Sequence, residues 1–226
     1  IQALENISFN INNKGSLGLI GVTGSGKTTL LRLITRSFNI DSGNILIDDK
    51  NITDFDIESL RKQIGIVPQD SFLFSDSIIN NIRFGNEKAS IKEIKQICKI
   101  AGIHKEIIKF KDGYETILGE RGVNLSGGQK QRICIARALI KNPKILILDD
   151  CLSALDTETE KKIIQSLKKY IINTTTIISS HRLSSVQNLN EIIVLKDGKI
   201  IQKGNHEKLI KQTGYYKELF YKQLTK

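Results

Sequence analysis

Eight residues constrain this chain more than any others. Gly21-Val-Thr-Gly-Ser-Gly-Lys27-Thr28 satisfies the spacing GxxxxGK[ST] at every position, where chance at this composition supplies ~0.02 matches. An apolar run, residues 16–22, leads in, and residues 27–38 lead out with helical spacing at Leu30, Leu31 and Ile34. A strand–loop–helix unit of this kind gathers backbone N–H groups around phosphate oxygens, because its glycines let the loop curl inward. The following helix start adds unpaired donors and partial positive charge. Lys27 brings a full charge to the β- and γ-phosphates of a nucleotide, and the Thr28 hydroxyl suits Mg²⁺. The expected nucleotide-binding residues are therefore Gly21, Thr23, Gly24, Ser25, Gly26, Lys27, Thr28 and Thr29.

Strand-like and helix-like patterns alternate along the rest of the chain. A strand running into a turn is expected at residues 43–49, further strands at Ile64–Val67, 144–148 and Thr175–Ser179, and helices at 56–63 and 157–170. Residues 191–204 predict a hairpin about the Asp197-Gly198 pair, and a lysine-rich helical tail follows. Apolar strands without alternation mean a sheet covered on both faces, hence a mostly parallel α/β core. Residues 71–141 change to a helical character, with Ile91, Ile94, Ile97 and Cys98 on one face. His104 and His206 are expected at the surface.

The strand at 145–148 ends in Asp149-Asp150. Strand ends of open α/β sheets face the ligand crevice, which places both acids beside the phosphate loop. Asp149 is the expected Mg²⁺ ligand and Asp150 the group that orients or deprotonates an attacking water. A second anion-binding constellation, Leu125-Ser126-Gly127-Gly128-Gln129, opens an amphipathic helix. One nucleotide has no evident need of two helix starts from one chain.

These motifs carry a resemblance over essentially the whole length to the nucleotide-binding domain of ABC transporters. The matching features, in family order, are the P-loop, the glutamine Gln69, the LSGGQ signature, the Walker B strand ending at Asp149, the SALD segment ending at Asp156, and the histidine His181. The resemblance implies a P-loop NTPase (RecA-like) core with a mostly parallel sheet, an antiparallel β portion at the N-terminus and an inserted α-helical subdomain. It implies one domain over 1–226, with 1–70 and 142–226 forming the core and 71–141 the signature subdomain. It also implies a dimer with a second such ATPase domain, in which Leu125–Gln129 act on the partner's ATP and Asp156 couples the two sites. The implied catalytic set is Asp150, His181, Gln69 and Lys27, the metal set Thr28, Gln69 and Asp149, and the cofactors ATP and Mg²⁺.

Residues 68–85 and 114–129 further resemble exporters, in which membrane helices and ATPase share one polypeptide. A transmembrane domain of the same transporter is then the other partner, at the cytoplasmic face of the cell membrane, and Phe72 and Phe74 either line its docking groove or pack in the core. The chain has no methionine, even at position 1, and no apolar stretch near the ~18 residues that span a bilayer. The first fits a piece of a longer polypeptide, with the family's adenine-stacking aromatic upstream of Ile1, and the second means that this chain alone is not expected to span a membrane. The family's usual residue after the Walker B aspartate is glutamate. Asp150 is one methylene shorter, which predicts slowed hydrolysis.

Net charge is +10, yet only 8 of the 34 basic residues are arginine and lysine is spread throughout, so nucleic acid is not an expected partner. The alternatives are a soluble ATPase of this class acting on nucleic acid or ribosomes, an importer's separate subunit, and a module that binds without hydrolysing. Three cysteines, Cys98, Cys134 and Cys151, lack metal-ligand spacing and read as reduced thiols.

Overall fold

A computed structural model describes residues 2–224. Strands β1 (Ser16–Ile20), β4 (Ile64–Val67), β5 (Ile145–Asp149), β6 (Thr175–Ser179), β7 (Glu191–Lys196) and β8 (Lys199–Gly204) form one sheet in the order β4-β5-β6-β1-β7-β8. Every pairing is parallel except β7 with β8. That hairpin turns at Asp197 and Gly198, both at positive φ, as the Asp-Gly pair predicts. The strand and turn expected at 43–49 appear as β2 (Leu46–Ile47), which leads through Asp48-Asp49 into an antiparallel partner, β3 (Lys50–Asn51), in a separate two-stranded sheet. Asp48 and Asp49 both adopt positive φ between them and turn the chain back at once.

Alternate residues of each central strand enter different clusters, which explains the unalternating apolar runs. Leu17, Leu19, Ile147, Ile177 and Ile193 face helices α1 (Lys27–Ile34) and α2 (Ile57–Gln63) through Leu30, Leu31, Ile34 and Leu60. Leu146, Leu148, Ile178, Ile192 and Val194 belong to the opposite cluster. That cluster continues into the helices between β4 and β5, which are α3 (Ile78–Arg83), α4 (Ile91–Ile100), α5 (His104–Ile107) and α6 (Gly127–Leu139). It also takes in Ile163 and Leu167 of α7 (Thr157–Ile171). On α4 the stripe is narrower than expected, since Ile94, Ile97 and Cys98 are buried while Ile91 is exposed in the first turn.

Helix α1 stops four residues short of the expected Phe38. The Thr35 hydroxyl donates to the Arg32 carbonyl, and Arg36 then takes φ 49° and leads the chain out of the helix. The tail forms α8 (His206–Lys211) and α9 (Tyr215–Leu224), docked by the fully buried Tyr216. The two histidines expected at the surface are half-buried instead. His104 Nδ1 bonds the Tyr114 hydroxyl at 2.9 Å and His206 Nδ1 bonds that of Tyr216 at 2.8 Å. Among the described residues no helix is long and apolar enough to cross a membrane.

Candidate nucleotide-binding site

Strand order brings the sequence candidates together. β1 lies beside β6, and β6 beside β5, with Leu19 opposite Ser179 and Asp149 opposite the same serine. The segments leaving these three strands carry the P-loop, His181 and Asp150. The P-loop needs its glycines. A Cβ on Gly21 would collide with the Leu195 carbonyl oxygen and the Ser25 hydroxyl, and Gly24 and Gly26 sit at φ 81° and 102°. Gly26 caps α1 without any side-chain bond, so the first N–H groups of the helix stay available to an anion.

Lys27 is buried, and its Nζ donates to the carbonyls of Gly21 (2.8 Å) and Val22 (3.0 Å). Desolvation lowers its pKa below the ordinary lysine value, while the Asp150 and Asp149 carboxylates pull it up. The Thr28 hydroxyl donates to Asp149 Oδ2 at 2.9 Å. Among the described residues the other carboxylate oxygen, Asp149 Oδ1, is buried without a hydrogen-bond partner. An orphaned carboxylate oxygen beside a hydroxyl is the hard-oxygen donor set Mg²⁺ takes, so Thr28 and Asp149 fit that cation.

Asp150 turns the chain at φ 44°, and its N–H donates to the Ser179 carbonyl at 2.9 Å. Its Oδ2 lies 3.9 Å from His181 Nε2. Burial pushes the Asp150 carboxyl above its ordinary range against the opposing pull of His181 and Lys27, the direction a proton acceptor needs. Gln69 is exposed on the loop after β4, the strand next to β5. Thr23 is exposed on the P-loop, Ser25 is buried beneath it, and Thr29 lies in the first turn of α1.

The signature lies elsewhere. Ser126 caps α6 in a reciprocal box with Gln129, whose Nε2 also donates to Glu106 Oε2 at 2.9 Å. The Ser126 hydroxyl therefore accepts a bond from Gln129 N–H, and the Gln129 side chain is committed to holding the helix start. Arg132 fixes Glu106 in turn with both guanidinium nitrogens. Leu125 is buried, while Ser126 and Gly127 are exposed. Among the described residues no hydrogen bond joins Leu125–Gln129 to the P-loop of the same chain. The glycines pack instead on the SALD segment, where a Cβ on Gly128 would stand 2.9 Å from Leu155 Cδ2. Asp156 caps α7 by accepting from Thr159 N–H at 2.9 Å.

Sequence reasoning overlooks several polar anchors. Asn81, buried on α3, grips the loop before it, accepting from Phe74 N–H and Arg137 and donating to the Phe74 carbonyl. That loop presents Phe72 edge-on to Phe74, and with Phe84 they form an exposed aromatic group whose Phe74 and Phe84 rings lie under the Arg137 guanidinium, so these rings are not core. Glu160, fully buried, accepts from Arg182 and from Ser184 and Ser185. Its signal is in the sequence, for Glu160 shares the i, i+3, i+7 stripe of α7 with Ile163 and Leu167.

A phosphate-cradling loop, a buried lysine and an acid pair at adjoining ends of a parallel sheet define a P-loop nucleotide-binding protein. Comparison with known proteins makes this specific. The family profile described as ABC transporter matches residues 4–153. The "Multidrug resistance-like ATP-binding protein MdlA" of Buchnera aphidicola is 53% identical over 219 residues, which cover 96% of this chain and 38% of that protein. "ATP-binding cassette sub-family B member 6" of Xenopus tropicalis is 47% identical, over 98% of this chain and 26% of that protein. A solved bacterial Atm1-family ABC exporter with ATP bound superposes with a TM-score of 0.95 at 41% identity, over 98% of this chain and 39% of that one. The chain belongs to the ABC transporter family and is an ATP-binding domain of the exporter type, a class of ATPase. It spans between about a quarter and two-fifths of the length of these relatives.

Proposed function

We propose that this domain binds Mg-ATP between two ATPase subunits and hydrolyses it to drive export across a membrane. The observation that carries the reading is the convergence of Lys27, Thr28, Asp149 and Asp150, with one Asp149 oxygen buried and unpaired among the described residues. Lys27 and the first N–H groups of α1 take the β- and γ-phosphates. Thr28 and Asp149, with Gln69, hold Mg²⁺, which when bound offsets charge on the phosphates. Asp150 orients the water for in-line attack on the γ-phosphorus and receives its proton. His181, beside Asp150, hydrogen-bonds the γ-phosphate.

The signature supports the pairing. Ser126 and Gly127 stand at the exposed start of α6, with Ser126 bonded to Gln129, which suits a second chain's nucleotide. Asp156 follows the segment on which that start rests and so couples the two sites. Residues 1–70 and 142–226 act as the nucleotide-binding core and 71–141 as the signature-bearing part. A membrane domain at the cytoplasmic face is the further partner. The exposed Phe72, Phe74 and Phe84, with Ile117 and Val123 ahead of the signature, support that docking face.

Asp150 makes the hydrolysis slow. Its carboxylate reaches about 1 Å less far than glutamate's, and misplacement of that size costs roughly 100-fold in rate. Two measurements test the reading. Asp150→Asn in the full-length transporter should lock the ATPase domains together under Mg-ATP, as seen by cross-linking across the signature. Asp150→Glu should raise turnover at least several-fold. ATPase domains that stay apart under Mg-ATP overturn the pairing, and unchanged turnover in Asp150→Glu shows that carboxylate reach is not limiting.

A further inference from the structure

The segment that carries His181 is gripped on both sides by groups outside the nucleotide site. On the main chain the grip comes from the end of the C-terminal helix. Gln223 of α9 donates from Nε2 to the His181 carbonyl at 2.7 Å, and its Oε1 accepts from Leu183 N–H at 2.9 Å. The two bonds bracket Arg182. An uncharged carboxamide is the side chain that offers a donor and an acceptor together in one plane, and the paired bonds fix both peptide groups at once.

On the side-chain face, Arg182 donates to the Leu155 carbonyl at 3.0 Å and the Ser153 carbonyl at 3.2 Å, and it pairs with the buried Glu160. Residues 181–183 therefore hang between α9 and the SALD segment. Helix α9 is itself a firm post. Tyr216 at its start is fully buried, takes the Gln202 side-chain oxygen on its N–H at 2.9 Å, and bonds His206 through its hydroxyl. From this mounting the His181 ring reaches toward Asp150 Oδ2, 3.9 Å away.

We propose that Gln223 is a positioning residue for ATP hydrolysis, in that it sets where His181 stands relative to Asp150 and the γ-phosphate. Helix α9 thereby belongs to the catalytic apparatus. This rests on the reading of His181 as the group that bonds the γ-phosphate.

The test uses the full-length transporter. Gln223→Ala should lower kcat about tenfold while KM for ATP stays within about twofold, because the P-loop is untouched. Gln223→Glu places a carboxylate against the His181 carbonyl and should be as slow at pH 8. As the pH falls toward 6 the carboxyl takes a proton and donates again, so its rate relative to wild type should climb several-fold, and that of Gln223→Ala should not. A merely structural glutamine gives no such pH rescue. A Gln223→Ala kcat within twofold of wild type, a matching rise in KM, or identical pH profiles for the two variants overturns the proposal. His181→Ala is the control that separates the two readings. A wild-type rate there refutes the role of His181 itself, whereas a slow His181→Ala with a wild-type Gln223→Ala refutes the positioning alone.

Discussion

Replacing Arg182 by alanine removes the guanidinium that faces Glu160 and holds the carbonyls of Ser153 and Leu155. Glu160 has no solvent exposure, so its charge would be left with two serine hydroxyls, Ser184 at 2.8 Å and Ser185 at 2.7 Å. Removing one partner of a buried ion pair costs about 3–5 kcal/mol. The Arg182 side chain is 39% exposed, which lets water reach the gap and puts the expected loss near the lower end, about 3 kcal/mol. For a chain of this length that is a fall in Tm of roughly 6–12 °C. Denaturant titration of the purified chain, followed by far-ultraviolet circular dichroism, reads the loss directly. Adding Glu160→Gln to Arg182→Ala takes away the uncompensated charge while keeping the shape, and should return about half of the stability. A loss under about 1 kcal/mol, or a further drop on adding Glu160→Gln, would show that the pair is not the electrostatic keystone its geometry implies.

Three further outcomes are expected. Gly21→Ala drives a methyl into the Leu195 carbonyl and the Ser25 hydroxyl, so it should cost about 1–3 kcal/mol and abolish ATP binding by isothermal titration. Lys27 is held below 10.5 in the folded chain, by desolvation first. Between its folded and unfolded values the unfolded chain binds more protons, so nucleotide-free stability should rise with pH through that alkaline window, and Lys27→Met should abolish the rise. Asp156 is held below 3.8 by the Thr159 N–H and side chain. The stability it contributes is present above that value and lost as pH falls through the folded one, and Asp156→Asn, which still accepts a bond but does not titrate, should flatten that acid limb.

What is legible in the sequence is what is local. The P-loop, the acidic end of β5 and the start of α6 each announce themselves within a dozen residues, since a glycine-rich turn, a buried strand and a helix cap are each set by neighbours in the chain. The doubly covered sheet follows from unalternating strands such as Ile145–Asp149. The end of α1 is not legible, because Thr35 and Arg36 turn the chain without glycine or proline. The surface reading of His104 and His206 fails because each finds a tyrosine ten residues on, a pairing with no periodic signature. The least legible feature is the grip of Gln223 on His181, which joins positions 42 apart through a tail whose polar composition suggests a solvated appendage.

The bare backbone at Gly128 has a mechanical consequence. With no side chain between them, the start of α6 rests directly on Leu155, the carbonyl of Leu155 is fastened to Arg182, and Arg182 is the next residue after His181. A tilt at the signature has little slack to take up before it shifts the histidine. If two such chains close on their nucleotides as proposed, each would feel at its own γ-phosphate whether the neighbour's site is filled.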